Sequence, residues 1–362
     1  PYYNPVLYTP TDSVRYEGYT TDIITDRALE WMRQERDPSE PFLLMYQHKA
    51  PHREWAPGPD QLDLYTDIEL PEPSTLFDDW EGRTSAAQTQ EMTIARDMTD
   101  RDLKFVPPAN LTEAQLETWY AAYVPRNEAL EAAGLEGDEL VRWKYQRYVK
   151  DYLRAIASVD DNLGRVLDYL EEEGLADNTV VVYTSDQGFF LGDHGWFDKR
   201  WMYEESLRTP MLIRWPAGIE AGTVSDAMVQ NLDLAETFLD LAGASIPNSM
   251  QGRSMVELFD GEAPADWRDA IYYQYFEYPG WHMVRRHYGV RTQTHKLIHY
   301  YEIDEWELFD LVADPDELSS VHADPQYADV RATLALQLDS LRTHFAVPDE
   351  DQVPYVVWPP GG

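Results

Sequence analysis

The chain of 362 residues sets 29 Lys and Arg against 66 Asp and Glu, a formal net charge of −37. That acid excess excludes a nucleic-acid backbone or an anionic membrane surface as partner, and no run approaches the roughly 18 apolar residues of a membrane span. With 43% hydrophobic residues and no cysteine, the chain can bury a large core without disulfides; such acidity suits salty water, where ions screen self-repulsion, so a marine bacterial origin is expected.

Taken in chain order, Gly18 to Arg36 reads as a helix, with Ile23, Ile24, Ala28, Leu29, Trp31 and Met32 at helical spacing. A strand from Phe42 to Gln47 is predicted next, delivering His48, Lys49 and His52 onto a loop at its end, where α/β enzymes keep catalytic groups. Residues Pro57 to Pro108 lack periodicity and read as a long surface excursion. Tyr148, Tyr152, Ile156, Val159, Leu163, Val166, Leu167 and Leu170 mark an amphipathic helix from Tyr145 to Leu175, ended by Gly174. The β-branched run Thr179 to Tyr183 reads as an interior parallel strand, Met211 to Trp215 as a strand continuing the sheet, and Leu232 to Leu241 as a helix. Beyond Pro264 come short strands at Ala270 to Tyr275, Tyr288 to Arg291 and Lys296 to Tyr300, then a helix from Asp329 to His344. The division expected is a main portion, 1–264, and a smaller α+β portion, 265–362.

Chemistry concentrates between Tyr183 and Arg200. Asp186 and Gln187 fall just past the carboxyl end of the Thr179 strand, where open α/β sheets place ligand sites. A carboxylate beside an amide oxygen, turned by Gly188, suits a hard cation such as Ca²⁺ or Mg²⁺; an Asx turn closing the strand is the bland alternative. Lys199 adds a positive charge one loop away, or else pairs with Asp198. His52 is either a proton donor near neutral pH or an exposed loop residue. His194, between two glycines, reads as a hydrogen-bonded turn residue. His282 and His287 lie in an aromatic segment where packing is the default.

The words Ser185-Asp-Gln-Gly188, Gly192-Asp-His-Gly195, Asp198-Lys-Arg200 and Leu207-Arg-Thr-Pro-Met-Leu-Ile-Arg-Trp-Pro216, in that order, closely resemble the second half of the type I sulfatases of the alkaline-phosphatase-like superfamily. Lys49-Ala-Pro-His52, Asn231 to Phe238, Gly289 to Thr292 and His295 to Ile298 extend the resemblance from Tyr16 to about Phe345. It implies an alkaline-phosphatase-like α/β fold, a mixed sheet sandwiched by helices, with a C-terminal α+β subdomain holding a short antiparallel sheet. It further implies Asp186 and Gln187 as metal ligands, His52 as acid to the leaving oxygen, and Lys199 as holder of a sulfate oxygen. Asp198-Lys-Arg200 and Tyr203-Glu-Glu205 look most like carbohydrate sulfatases of the N-acetylglucosamine-6-sulfatase and algal-polysaccharide type, which makes Asp198, Arg200 and His287 candidates for sugar binding. The family's nucleophile is a formylglycine made in a Cys/Ser-X-Pro-X-Arg motif, and this chain contains no Cys and no Ser in that setting. The expectation is therefore a secreted or periplasmic sulfuric ester hydrolase acting on a sulfated glycan, whose nucleophile lies on an N-terminal segment outside these residues. A non-catalytic relative, or a phosphatase or phosphonate hydrolase on the same scaffold, remains the alternative.

Overall fold

A computed structural model describes residues 1–348. In chain order its elements are strands β1 (Val6–Tyr8) and β2 (Ser13–Arg15), helix α1 (Thr20–Glu30), short α2 (Ser85–Thr89), long α3 (Glu113–Ala133) and α4 (Gly137–Glu172), and strand β3 (Val181–Thr184). There follow two-residue strands β4 (Phe190–Leu191) and β5 (Phe197–Asp198), α5 (Glu204–Leu207), β6 (Met211–Arg214) and α6 (Asp233–Leu241). Strands β7 (Ala270–Tyr275), β8 (His287–Thr292), β9 (His295–Tyr300) and β10 (Glu305–Asp310) precede the final α7 (Ala328–His344). The chain divides into two compact units, one of residues 1–74 with 93–179, the other of residues 75–92 with those from Val180 on.

In the first unit α1 lies along α4. Asn162 donates to Asp22 at 2.7 Å and the Tyr169 hydroxyl to the Met32 carbonyl at 3.1 Å, so the apolar stripe on α4 is flanked by satisfied polar bonds. Helix α3 went unread in the sequence because Pro125 interrupts it and its faces are weakly segregated. The available signal was its capping box: Thr112 accepts from the Gln115 N–H while Gln115 reaches back to the Thr112 N–H at 2.9 Å. The helix ends at Gly134, in the left-handed region at φ 58°. The strand expected at Phe42 to Gln47 is not formed. The segment is extended and its side chains alternate between exposed and half-buried, with Leu43 64% and Met45 70% exposed, yet no ladder forms on it among the described residues. Alternation reports an extended backbone, but a strand also needs a neighbour's N–H and C=O groups.

In the second unit β3 pairs with β6, from Val181 opposite Arg214 to Thr184 opposite Met211, and the ladder is antiparallel and half-buried. The parallel, fully interior reading of this segment is thus corrected, since a β-branched run signals burial and says nothing of the partner's direction. The four C-terminal strands form one antiparallel sheet in the order β10-β9-β8-β7. Its inner face, Ala270, Tyr288, Val290, Leu297 and Leu308, packs against Leu334 and Leu338 of α7. Positions 349–362 of the expected 265–362 portion lie outside the described residues.

Candidate active site

The tight segment between β3 and β6 carries most of the chemistry. Asp186 is exposed; among the described residues its side chain meets only the Ser185 hydroxyl, at 3.3 Å, while its carbonyl accepts from Asn231 at 2.8 Å. Gln187 is half-buried. Gly188 must be glycine, because a Cβ there would sit 2.1 Å from the Glu205 carbonyl and 2.4 Å from that of Arg208. Its N–H donates to the Ser206 carbonyl at 2.9 Å. Asp186 and Gln187 are hard oxygen donors of the kind Ca²⁺ and Mg²⁺ take, but two side chains fall short of the six to eight oxygens a Ca²⁺ shell needs. Among the described residues no group of three His, Cys, Asp or Glu could hold a metal ion.

The opposite end of the segment holds a charge cluster centred on Asp198, only 2% exposed. Its Oδ2 lies 2.8 Å from Arg200 Nη1 and 2.9 Å from His282 Nε2, and its Oδ1 lies 3.4 Å from Lys199 Nζ. Burial alone would raise the Asp198 carboxyl, but the His282 hydrogen bond and the charges of Arg200 and Lys199 outweigh it and hold the group well below the carboxylate range. Nδ1 of His282 is 2.7 Å from the Glu91 carbonyl. Lys199, Arg200 and the His282 ring thus gather on Asp198, and Arg200 also lies 3.9 Å from Glu277, placing two fixed positive charges together in a strongly acidic chain. Asp198 (φ 74°) and Arg200 (φ 99°) occupy left-handed backbone, strain of the kind that persists where surrounding contacts over-determine a site.

Sequence reasoning weighed two histidines for this cluster and favoured His287; the one joined to Asp198 is His282. His287 is fully buried, 5.6 Å from the Tyr273 and Tyr275 rings and 5.2 Å from Tyr300. Its Nδ1 donates to the Arg285 carbonyl at 2.8 Å, and burial pushes it down to about 4. The choice depends on the path of the β7–β8 connection, which local pattern does not encode.

Two buried networks hold this segment. His194, completely buried and left-handed at φ 56°, sets Nδ1 3.0 Å from Asp78 and Nε2 3.7 Å from Glu205. Burial would depress it, but Asp78 and Glu205 prevail and raise it to about 9; it is the hydrogen-bonded turn residue expected. Helix α5 is gripped from the C-terminal sheet: Lys296 Nζ, fully buried, lies 2.9 Å from Glu204 and 2.7 Å from Glu317, and Arg291 bonds Glu204 at 3.0 Å. Burial pushes Glu317 up to about 7 against the pull of Lys296, whereas Lys296 and Arg291 overcome burial at Glu204 and bring it down to about 2. Ser206 of α5 accepts the Arg200 N–H on its hydroxyl at 3.0 Å.

His52 belongs to the first unit and is exposed. Its Nδ1 is 2.9 Å from both Lys49 Nζ and the Arg53 carbonyl; one ring nitrogen accepts from the ammonium or donates to the carbonyl, not both, and Lys49 itself donates to the Arg53 carbonyl at 3.2 Å. The turn behind it is clamped by a two-pronged bond from Arg53 to buried Asp102, at 2.8 and 2.6 Å, and by Lys104 donating to the Glu54 carbonyl at 2.7 Å.

Comparison with known proteins places these residues in context. The sulfatase family model matches residues 1–244, and the model for the C-terminal part of N-sulphoglucosamine sulphohydrolase matches residues 192–344. An N-acetylglucosamine-6-O-sulfatase of Bacteroides thetaiotaomicron is 44% identical across 97% of this chain and 66% of its own length. A solved structure of a protein in complex with its substrate D-glucosamine-2-N,6-O-disulfate is likewise 44% identical, with a TM-score of 0.94 over 98% of this chain and 75% of that one. The phosphonate monoester hydrolase from Silicibacter pomeroyi superposes with a TM-score of 0.66 at 25% identity, covering 89% of this chain and 60% of its own. The chain spans roughly half to two thirds of the length of the first curated relatives it matches. Family models covering both parts of the described chain, and an alkaline-phosphatase-like architecture shared nearly end to end with a substrate-bound relative, agree with the sequence motifs: the chain belongs to the sulfatase family.

Proposed function

We propose that the full-length protein hydrolyses the sulfate ester of a sulfated carbohydrate, with 6-sulfated N-acetylglucosamine as the leading substrate and algal polysaccharide as the second. The observation that carries the reading is the Asp198-Lys199-Arg200-His282 cluster, where one carboxylate aligns a lysine, an arginine and a histidine ring in an otherwise anionic chain. Lys199 and Arg200 hold sulfate oxygens and take up the charge that builds during transfer. Asp198 and Arg200 are assigned to the sugar hydroxyls, the carboxylate accepting and the guanidinium donating, whereas His287, fully buried among Tyr273, Tyr275 and Tyr300, is withdrawn from the sugar contacts. His52, whose Nδ1–H would donate to the Arg53 carbonyl at 2.9 Å, gives a proton to the departing sugar oxygen.

Sulfatases generally bind a divalent cation. We assign Asp186 and Gln187 to it, with Ca²⁺ as the ion and the remaining oxygens supplied outside the described cluster; bound there, it would draw charge from the sulfate oxygens. The nucleophile, a formylglycine, is assigned to sequence outside these 362 residues, and export to the periplasm or medium is proposed. Likeness to the phosphonate monoester hydrolase keeps phosphoryl or phosphonyl ester cleavage as the second reading. The deciding experiment assays the full-length enzyme on 6-sulfated N-acetylglucosamine, an aryl sulfate and a phosphonate monoester. The Asp198→Ala and Arg200→Ala variants are expected to lose far more activity on the sugar than on the aryl sulfate. Equal losses, or wild-type preference for the phosphonate, would overturn the assignment.

A further inference from the structure

The connection from β7 to β8 is tied down at two points beside the charge cluster. Glu277 accepts from the Tyr275 hydroxyl at 3.1 Å and faces Arg200 at 3.9 Å. Five residues later His282 bonds Asp198 with its ring, and its carbonyl accepts from the Glu91 N–H at 2.7 Å. Between these ties the Arg285 guanidinium lies 4.3 Å over the Tyr278 ring, and Arg286 donates to the Tyr278 carbonyl at 2.9 Å. The backbone is therefore held by side chains that look inward, yet two large aromatic side chains on it face solvent, Phe276 at 50% and Trp281 at 54% exposure. Neither stacks on another ring among the described residues. Trp281 sits one peptide, about 3.8 Å from Cα to Cα, from the histidine whose ring touches Asp198. Leaving an indole in water on a braced loop forfeits the favourable burial of its apolar face, and nothing within the described chain recovers it.

We propose that Trp281 is the face against which a pyranose ring of the glycan packs, namely the ring next to the one whose sulfate meets Lys199 and Arg200. The inference rests on the carbohydrate reading of that cluster and deepens it. A pyranose has an apolar C–H face and a hydroxyl rim, so it matches a rigid aromatic that gives large contact area at low entropy cost. Charge complementarity fixes the order of the two rings. The anionic group is drawn to the part-buried cations Lys199 and Arg200, and the uncharged neighbour is left at the solvent-facing Trp281. Trp281 then acts on affinity and on the length of glycan preferred, with no part in the transfer step.

The test compares wild-type full-length enzyme with Trp281→Ala and Trp281→Tyr on a 6-sulfated N-acetylglucosamine monosaccharide and on a disaccharide ending in the same sulfated sugar. In Trp281→Ala the KM for the disaccharide should rise about tenfold, with kcat within about twofold, and several times more than the KM for the monosaccharide; Trp281→Tyr should recover most of the loss. A disaccharide KM that moves no more than the monosaccharide KM overturns the stacking face while leaving the sulfatase reading standing. Wild-type enzyme that desulfates neither sugar while cleaving an aryl sulfate overturns both.

Discussion

Replacing Lys296 by Met in the full-length protein keeps a flexible stem of similar length and removes the one ammonium buried between Glu204 and Glu317. Glu204 retains Arg291 at 3.0 Å, but Glu317, 1% exposed, loses the cation at 2.7 Å. Removing one partner of such a buried pair leaves an uncompensated charge and costs about 3–5 kcal/mol. The cost depends on pH with a definite sign. Burial raises the folded Glu317 carboxyl to about 7, above the ordinary glutamate range, so the folded state binds the extra proton. Wild-type stability therefore falls as pH rises from the ordinary glutamate value to about 7, by roughly 3 kcal/mol for this group, and is flat above. In Lys296→Met the carboxyl rises further, so the decline continues past pH 8 and the variant lies closest to wild type at mildly acidic pH. Urea unfolding followed by tryptophan fluorescence at pH 6 and pH 8.5 reads this directly. The double variant Lys296→Met with Glu317→Leu should recover much of the stability at pH 8.5, since no charge is then stranded. A loss in the single variant that is the same at both pH values, or a double variant no better than the single, would refute the argument.

Three further outcomes are expected. Lys199→Ala and His52→Ala in the complete enzyme should each lower turnover of a sulfated sugar about a hundredfold or more; near-normal rates would remove them from the mechanism. His194→Gln should destabilise the fold most below pH 6.5, where the histidine is charged in both folded and unfolded states, and the gap to wild type should close as pH rises through about 9; a pH-independent gap would deny the ion pairs with Asp78 and Glu205. Asp186→Ala should weaken Ca²⁺ binding measured by calorimetry on the chelator-treated full-length protein, and unchanged affinity would take Asp186 out of the ligand set.

Sequence legibility followed the range of the interactions. The α4 stripe and strands β6, β7, β8 and β9 were readable because each is set by periodicity within a few residues. Strand β10 and the hairpin of three-residue strands β1 and β2 were missed, although each pairs with its sequence neighbour. Phe42 to Gln47 shows the reverse failure, since its alternation is real but strand formation depends on a neighbour. The word Asp198-Lys-Arg200 pointed to the loop where the charge cluster forms, while the histidine joined to Asp198 rested on a connection whose course is decided by Glu91, Asp198 and Arg200 together. The grip of Lys296 on Glu204 and Glu317 joins residues dozens of positions apart, and no local spacing announces it.

Ser206 is a single residue performing two measurements at once. Its hydroxyl receives the Arg200 N–H and its carbonyl receives the Gly188 N–H, so the turn bearing Asp186 and Gln187 and the loop bearing the cations share one ruler. A change of length between positions 188 and 206 would shift both ends relative to that ruler and be paid twice. The β7–β8 connection touches the same cluster through side chains alone, at Glu277 and His282. Side-chain replacements within residues 278–281 would thus leave that ruler in place, whereas the interval from Gly188 to Ser206 admits substitutions but resists insertions.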